Sequence, residues 1–380
     1  MLRIGIVAGE ASGDYLGANL IRDLRRKNPD LVVEGIGGPQ LEQQGCRLIF
    51  SIEKFSVMGF IEVLGKYLEL ARARSRLTEY FIQHPPDIFI GVDAPDFNLD
   101  LEKKLRNHQI KTVHYVSPQV WAWREYRLRK IAQAVDVLLA LFPFEKDYYE
   151  AHNIPVVNVG HPLADEIGLA PDRAAARARL GLPAEKRVIA LMPGSRQMEL
   201  DRLMGPFLLT ADWCMRQRSD LHFTGSLLTD GAKQQFESTV SRLCLDHLPL
   251  SLYVGRAHDV LEAADVVLLA SGTITLEAML YKRPMVVAYK MHWLTYALLK
   301  WLVKVKHAAL PNLLAGSDIV PECLQAECRP ERLGHEIMRW LHDGKAVAAV
   351  EREFAKLHER LRSDASGTAA DAVLSLLGKT

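Results

Sequence analysis

Cysteine is scarce in this chain. The five present (Cys46, Cys214, Cys244, Cys323 and Cys328) are odd in number and widely spaced, with no C-x-x-C pair. That excludes a disulfide framework and points to a reducing compartment. Cys323 and Cys328 stand five apart with no histidine cluster beside them, so no metal site is expected. Net charge is lacking too. The 47 Lys+Arg balance 46 Asp+Glu to leave +1, which excludes a bulk polyanion binder, and no nucleic-acid partner is expected. No window of about 18 to 20 uninterrupted apolar residues occurs, so no transmembrane helix is expected. The opening run MLRIGIVAG passes straight into Glu10, Ser12 and Asp14, unlike a secretory signal, so a cytoplasmic location is expected. Sequence repeats and low-complexity tracts are also missing.

What the chain does have is an ordinary globular composition, 49% hydrophobic and 24% charged, over 380 residues. At roughly 150 residues per domain this predicts two domains. Short apolar runs alternate with helix-like segments almost throughout. Strands are predicted at 2–8, 32–36, 87–92, 111–116, 135–141 and 156–159, with helical patterns at 13–27, 66–83, 98–108 and 123–134. The rhythm resumes with strands at 187–192, 220–224, 250–254, 265–270 and 284–288 and helices at 200–218, 230–244 and 273–281. Nearly all-apolar strands separated by helices mean parallel sheets covered on both faces, an α/β fold. The stretch 164–185, with Pro171 and Pro183, separates the halves, and the last 50 residues read as helices. The expected domains are therefore 1–163, 164–345 and a closing helical piece, 346–380. Two such sheets leave a cleft, and ligands bind open parallel sheets at the carboxyl ends of their strands.

Five segments follow strands and carry candidate chemistry. In Gly9-Glu10-Ala11-Ser12-Gly13-Asp14, glycines and a helix start suit an anion or a sugar oxygen; a tight turn capped by Ser12 or Asp14 fits equally. The spacing is not G-x-G-x-x-G, and no acidic residue follows the second strand to hold a ribose, so a nicotinamide cofactor is not expected. In Gly91-Val92-Asp93-Ala94-Pro95-Asp96-Phe97-Asn98, Asp93 ends a strand. Its carboxylate could take a proton from an attacking hydroxyl, or merely organise the Pro95 turn; Asp96 competes for the role. His114 to Arg124 (HYVSPQVWAWR) carries aromatics and an amide suited to a sugar-facing wall, although tryptophan core packing accounts for them too. In Leu191 to Arg196 (LMPGSR), Arg196 stands before a helix and could pair with a diphosphate; it is no Walker loop. In Ala270-Ser271-Gly272-Thr273-Ile274-Thr275-Leu276-Glu277, small residues open a helix directly after a strand, an arrangement suited to phosphate. Glu277 lies four residues after Thr273 on the same face, where a carboxylate could bridge ribose hydroxyls. Asn312, in LPNLLAG, is a polar cleft candidate, and His161, in GHP, is either a turn residue or a cleft ligand.

Two segments suggest a lipid surface. Residues 55–64 (FSVMGFIEVL) are apolar. Residues 293–306 (WLTYALLKWLVKVK) interleave Trp293, Tyr296, Trp301 and Leu302 with lysines, a pattern that fits an interfacial helix and also a helix packed on its own domain.

Taken in order, VAGEASGD, VMGFIEVL, GVDAPDFN, HYVSPQVWAWR, FPFEK, VGHPLAD, LMPGSR, LLASGT with its later Glu, and LPNLLAG resemble the lipid-A-disaccharide synthases. These are bacterial enzymes of lipid A (endotoxin, lipopolysaccharide) biosynthesis. The resemblance runs from about residue 3 to the closing helix. It implies a GT-B glycosyltransferase, two Rossmann-like domains whose sheets face a central cleft, inverting, with no metal and no cofactor. UDP-2,3-diacylglucosamine and 2,3-diacylglucosamine 1-phosphate (lipid X) would be the substrates, and the β-1,6 disaccharide 1-phosphate and UDP the products. It further implies a peripheral position on the inner membrane, and a homodimer formed by swapping the C-terminal helices. By resemblance, Asp93 is the base, and Arg196, Ser271, Gly272, Thr273 and Glu277 hold the nucleotide. Ser12 and Asp14 face the acceptor, and Asn312 is a further active-site position. The first domain would serve the acceptor and the membrane, the second the UDP-sugar. One departure stands out: residues 223–228 (FTGSLL) lack the expected apolar-strand character. Two rivals remain at this stage, a UDP-sugar epimerase of the same architecture and a non-catalytic binding module.

Overall fold

The computed structural model describes residues 1–51, 63–118, 120–123, 125–291 and 306–378. They divide into two compact units, 1–165 with 361–380, and 166–360.

In the first unit the apolar runs form β1 (Arg3–Ala8), β2 (Val32–Gly37), β3 (Cys46–Ser51), β4 (Ile88–Val92), β5 (Lys111–Tyr115), β6 (Val137–Ala140) and β7 (Val156–Asn158). They make one parallel sheet in the order β3-β2-β1-β4-β5-β6-β7. Helices cover both faces, so the central strands need apolar residues at successive positions; β4 is buried at every residue. One core gathers Val7, Phe81, Phe89, Leu101 and Leu105, and another gathers Leu99, Ile131, Leu138 and Tyr149. Edge strands lack that two-sided demand. This is why β3, with Arg47 in it, was not foreseen from the sequence.

The second unit contains β8 (Arg187–Met192), β9 (Leu221–Leu227), β10 (Leu250–Val254), β11 (Val266–Ala270), β12 (Met285–Tyr289) and β13 (Glu322–Leu324). The order is β10-β9-β8-β11-β12-β13, again all parallel. The FTGSLL expectation is corrected here, because β9 runs through it. Its polar side chains are satisfied inside the sheet: Thr224 Oγ1 donates to Ser251 O at 3.2 Å, and Ser226 Oγ accepts from Arg256 N at 2.9 Å. A strand can bury such residues when neighbours supply hydrogen bonds.

In both sheets the chain order reverses beside the first strand. β1 lies between β2 and β4, and β8 between β9 and β11. Such switch points leave a crevice at the strand carboxyl ends. The helical pattern at 123–134 is interrupted: Val120–Trp123, a 3-10 turn at Glu125–Arg127, then Leu128–Ala134.

The closing region is divided. Helix Gly344–Leu361 lies almost wholly in the second unit, burying Val350, Phe354 and Leu357, so residues 346–360 do not join the returning piece. Helix Ala365–Leu376 packs on helix Ala11–Lys27 of the first unit.

Candidate active site

At the first switch point the loops after β1 and β4 sit side by side. Asp93 and Ala94 both have left-handed backbones, φ 52° and 42°. Such conformations are unfavourable for residues with a Cβ and must be held by their surroundings. Asp93 N donates to Tyr115 O at 2.8 Å, and Asp93 O accepts from Asn98 Nδ2 at 2.8 Å. Its carboxylate is half-buried and has no hydrogen-bond or ion-pair partner among the described residues. Asp96 differs: it is exposed, and its carboxylate pairs with Arg127 at 2.7 Å. Of the two candidates, Asp93 is the one whose carboxylate is unpaired among the described residues.

Ser12 is exposed at the start of helix Ala11–Lys27. Asp14 is not. It is 3% exposed, and its carboxylate accepts from the backbone N–H of Gly38 (2.8 Å), Gln40 (3.0 Å) and Leu41 (3.1 Å). Those bonds tie the segment after β2 to the first helix, and they occupy the Asp14 carboxylate.

The aromatic segment also splits. His114 and Tyr115 are buried within β5, and His114 Nδ1 meets Glu102 Oε1 at 2.7 Å. Burial raises the Glu102 carboxyl above its ordinary range, with His114 opposing. These residues form interior, not a sugar-facing wall. Trp121 is half-buried, packed edge-on to Phe144 at 5.0 Å, and its indole N–H reaches Glu145 Oε1 at 3.3 Å. Gln119 and Arg124 lie outside the described residues. Glu145 was missed by sequence reasoning. Burial pushes its carboxyl up to about 7, against the neighbouring Ser117 hydroxyl and the N–H groups of Phe142 and Trp121. His161 is buried and stacked on Phe142, and burial lowers its pKa to about 4, leaving a neutral ring. Its Nδ1 accepts from Leu163 N at 3.2 Å, the behaviour of a turn residue.

At the second switch point the relevant loops follow β8 and β11, adjacent strands in register through Leu269 and Met192. Arg196 precedes helix Gln197–Gln217, and its side chain is 73% exposed. Glu199 folds back so that Oε2 accepts from Ser195 N (3.1 Å) and Arg196 N (3.4 Å). The helix end is therefore already occupied by a carboxylate, and the exposed Arg196 guanidinium, 3.8 Å from Glu199 Oε1, is the cationic group at this loop. A cavity of about 380 Å³ opens beside it, lined by Gly194, Ser195, Thr229 and Gln235 among others.

After β11, Ser271 Oγ donates to Ala308 O at 2.7 Å, while Gly272 and Thr273 are exposed. Among the described residues no side chain caps helix Thr273–Leu280; Thr275 N donates to Gly272 O at 3.0 Å, which leaves the N–H groups of Thr273 and Ile274 for a phosphate. Glu277 is one turn in, half-buried. Burial raises its carboxyl, with His258 opposing. His258 and Tyr281, 3.2 Å apart, line a second cavity of about 350 Å³ with Glu166 and Gly168.

Asn312 lies in the interior. It is fully buried, and its amide is spent internally: Nδ2 donates to Val320 O (2.9 Å) and Glu322 Oε1 (2.8 Å), and Oδ1 accepts from Ile319 N and Val320 N (both 2.9 Å). Glu322 in turn accepts from Ala308 N and Ala309 N, beside the Ser271 contact. Asn312 thus supports the 271–273 turn from the second layer. Trp293, Tyr296, Trp301 and Leu302, and the segment 55–62, lie outside the described residues.

Solved structures share this architecture. A UDP-GlcNAc 2-epimerase from Neisseria meningitidis bound to UDP-GlcNAc superposes with TM-score 0.66 at 12% identity, covering 100% of both chains. MurG of Acinetobacter baumannii gives 0.58 at 14%, covering 100% of this chain and 99% of that one. At such identities the likeness fixes a GT-B-like fold and nothing more. Sequence relatives go further. The lipid-A-disaccharide synthase of Pseudomonas aeruginosa (strain UCBPP-PA14) is 50% identical over 376 residues, 99% of this chain and 98% of its own. That of Psychromonas ingrahamii is 48% identical over 377 residues, with 99% and 98% covered. The family model for lipid-A-disaccharide synthetase matches residues 4–373. That span includes both switch points and most of the returning helix, and the chain belongs to the lipid-A-disaccharide synthetase family.

Proposed function

We propose that this chain is a glycosyltransferase that moves 2,3-diacylglucosamine from UDP to the 6-hydroxyl of 2,3-diacylglucosamine 1-phosphate, forming the β-1,6 disaccharide 1-phosphate and UDP. The Asp93 carboxylate takes the proton of the 6-hydroxyl as its oxygen attacks the anomeric carbon. The bond from that carbon to the diphosphate breaks on the opposite face, and UDP leaves with the electron pair, so the centre inverts. The Arg196 guanidinium and the open amides at Thr273 and Ile274 meet the developing charge. Glu277 holds the ribose hydroxyls, and Ser12 faces the acceptor. The observation that carries this reading is the Asp93 carboxylate, unpaired among the described residues, at the strand end of a chain in this family.

Placement at the inner face of the inner membrane, with 55–64 and 293–306 lying in the lipid interface, belongs to the same proposal. Among the described residues no helix is long and apolar enough to cross a membrane. A homodimer would follow if helix Ala365–Leu376 docked on a second copy's Ala11–Lys27 helix instead of its own.

Mass spectrometry of products from the two acylated substrates tests the reaction. The disaccharide 1-phosphate is expected, and Asp93→Asn should lower kcat by roughly 10²- to 10⁴-fold while UDP still binds. An epimer formed from UDP-sugar alone, with no acceptor present, would overturn the reading.

A further inference from the structure

The Asp93 carboxylate has no side-chain partner among the described residues, and its Cα–Cβ direction is set by the backbone. That backbone is held at both ends. The N–H is fixed by Tyr115 O on β5, and the carbonyl by Asn98 Nδ2, each at 2.8 Å. Asn98 is fully buried in the first turn of helix Pro95–Asn107. The same nitrogen lies 3.4 Å from Val92 O at the end of β4 and 3.4 Å from Val7 O near the end of β1. One amide therefore touches both strands of the switch point and the turn between β4 and its helix. Its other half is idle among the described residues, where Asn98 Oδ1 is buried with no partner. An unpaired buried carbonyl is a cost that the donor half of the amide has to offset. What an apolar side chain cannot supply is the donor to Asp93 O.

We propose that Asn98 is a positioning residue, which holds the left-handed Asp93 turn so that the carboxylate points at the acceptor hydroxyl. The proposal rests on Asp93 being the base. Gly9 guards the turn from the other side, because a Cβ there would stand 2.8 Å from the Ala94 Cβ.

The test uses the full chain and steady-state kinetics with both substrates. Asn98→Leu is close in volume and lacks the donor. It is expected to lower kcat by about 10- to 100-fold with each KM within about twofold, the cost of misplacing a reacting group by a fraction of an ångström to an ångström. In an Asp93→Asn background it should cost nothing further, since the group it orients is gone. Turnover of Asn98→Leu within about twofold of the parent, or losses that multiply in the double variant, would overturn the proposal. Circular dichroism and UDP calorimetry check folding. If Asn98→Leu does not fold, Gly9→Ala takes its place. It should lower kcat alone and not in the Asp93→Asn background, and parental turnover in Gly9→Ala would overturn the idea that placement of this turn limits the rate. Full activity in Asp93→Asn would bring down the base assignment and the Asn98 role together. An inactive Asp93→Asn beside an active Asn98→Leu would bring down the Asn98 role alone.

Discussion

Asp165 and Ala365 are joined by a 2.7 Å hydrogen bond from the Ala365 N–H to the Asp165 carboxylate, 200 residues apart in the chain. The same carboxylate accepts from Ser363 N and Asp364 N, both at 3.0 Å. Gly160 makes room for the crossing, since a Cβ there would stand 2.0 Å from Ser363 Oγ, and its φ of 79° suits glycine. The VGHPLAD motif is thus the socket for the returning helix. Asp165→Ala should leave three N–H groups of the helix start without their acceptor and destabilise the first unit by about 1–2 kcal/mol. Hydrogen exchange is the measurement: residues 365–376 should lose protection first, and unchanged protection would refute the socket.

Glu145 gives the chain a pH-dependent weakness. Its carboxyl is pushed from 4.5 up to about 7, chiefly by burial. Between those values the folded chain holds a proton that the unfolded chain has released. Its contribution is therefore full below about 4.5 and is lost as pH rises through about 7. Glu145→Gln keeps a neutral side chain at all pH. Its stability relative to the parent should improve between about pH 5 and pH 8 in urea melts. A constant difference would show that the carboxyl does not titrate in that window.

The second switch point should be separable into charge and ribose contributions. Arg196→Ala is expected to weaken UDP about tenfold, and Glu277→Gln by a similar factor, measured by calorimetry. The Arg196 effect should shrink for uridine, which lacks the diphosphate, and the Glu277 effect should persist. Equal losses on both ligands for both variants would contradict the assigned roles.

Lipid attachment is tested by replacing Trp301 with Ser and Leu302 with Asp. Sedimentation with anionic vesicles should fall, because burying an aromatic and a leucine in the interface is a major part of the attraction. Unchanged sedimentation would place the segment elsewhere.

Much of the site was legible as sequence because strands and loops are written locally. A buried parallel strand must be apolar along its length, so Ile88–Val92 and Val266–Ala270 declared themselves, and Asp93 and Ser271 fell just past their ends. The edge strands β3 and β13 did not, since one open side relaxes the pattern. Of β9, the part up to Thr224 was legible and the continuation to Leu227 was not, since buried Ser226 looks like a loop residue until the hydrogen bonds of the neighbouring chain segments are known.

The sequence by itself determined which residue types stand at the carboxyl ends of the strands, because periodicity and glycine placement act over a few residues. Only the tertiary structure decided which of those residues remain free to do chemistry. Asp14 and Asn312 looked as available as Asp93, yet both spend their polar atoms on interior groups up to 27 residues away. Asn98, Glu145 and Asp165 acquire their parts from partners outside any local pattern. A hydrogen bond depends on separation in space, and no spacing along the chain records it until the sheet has formed.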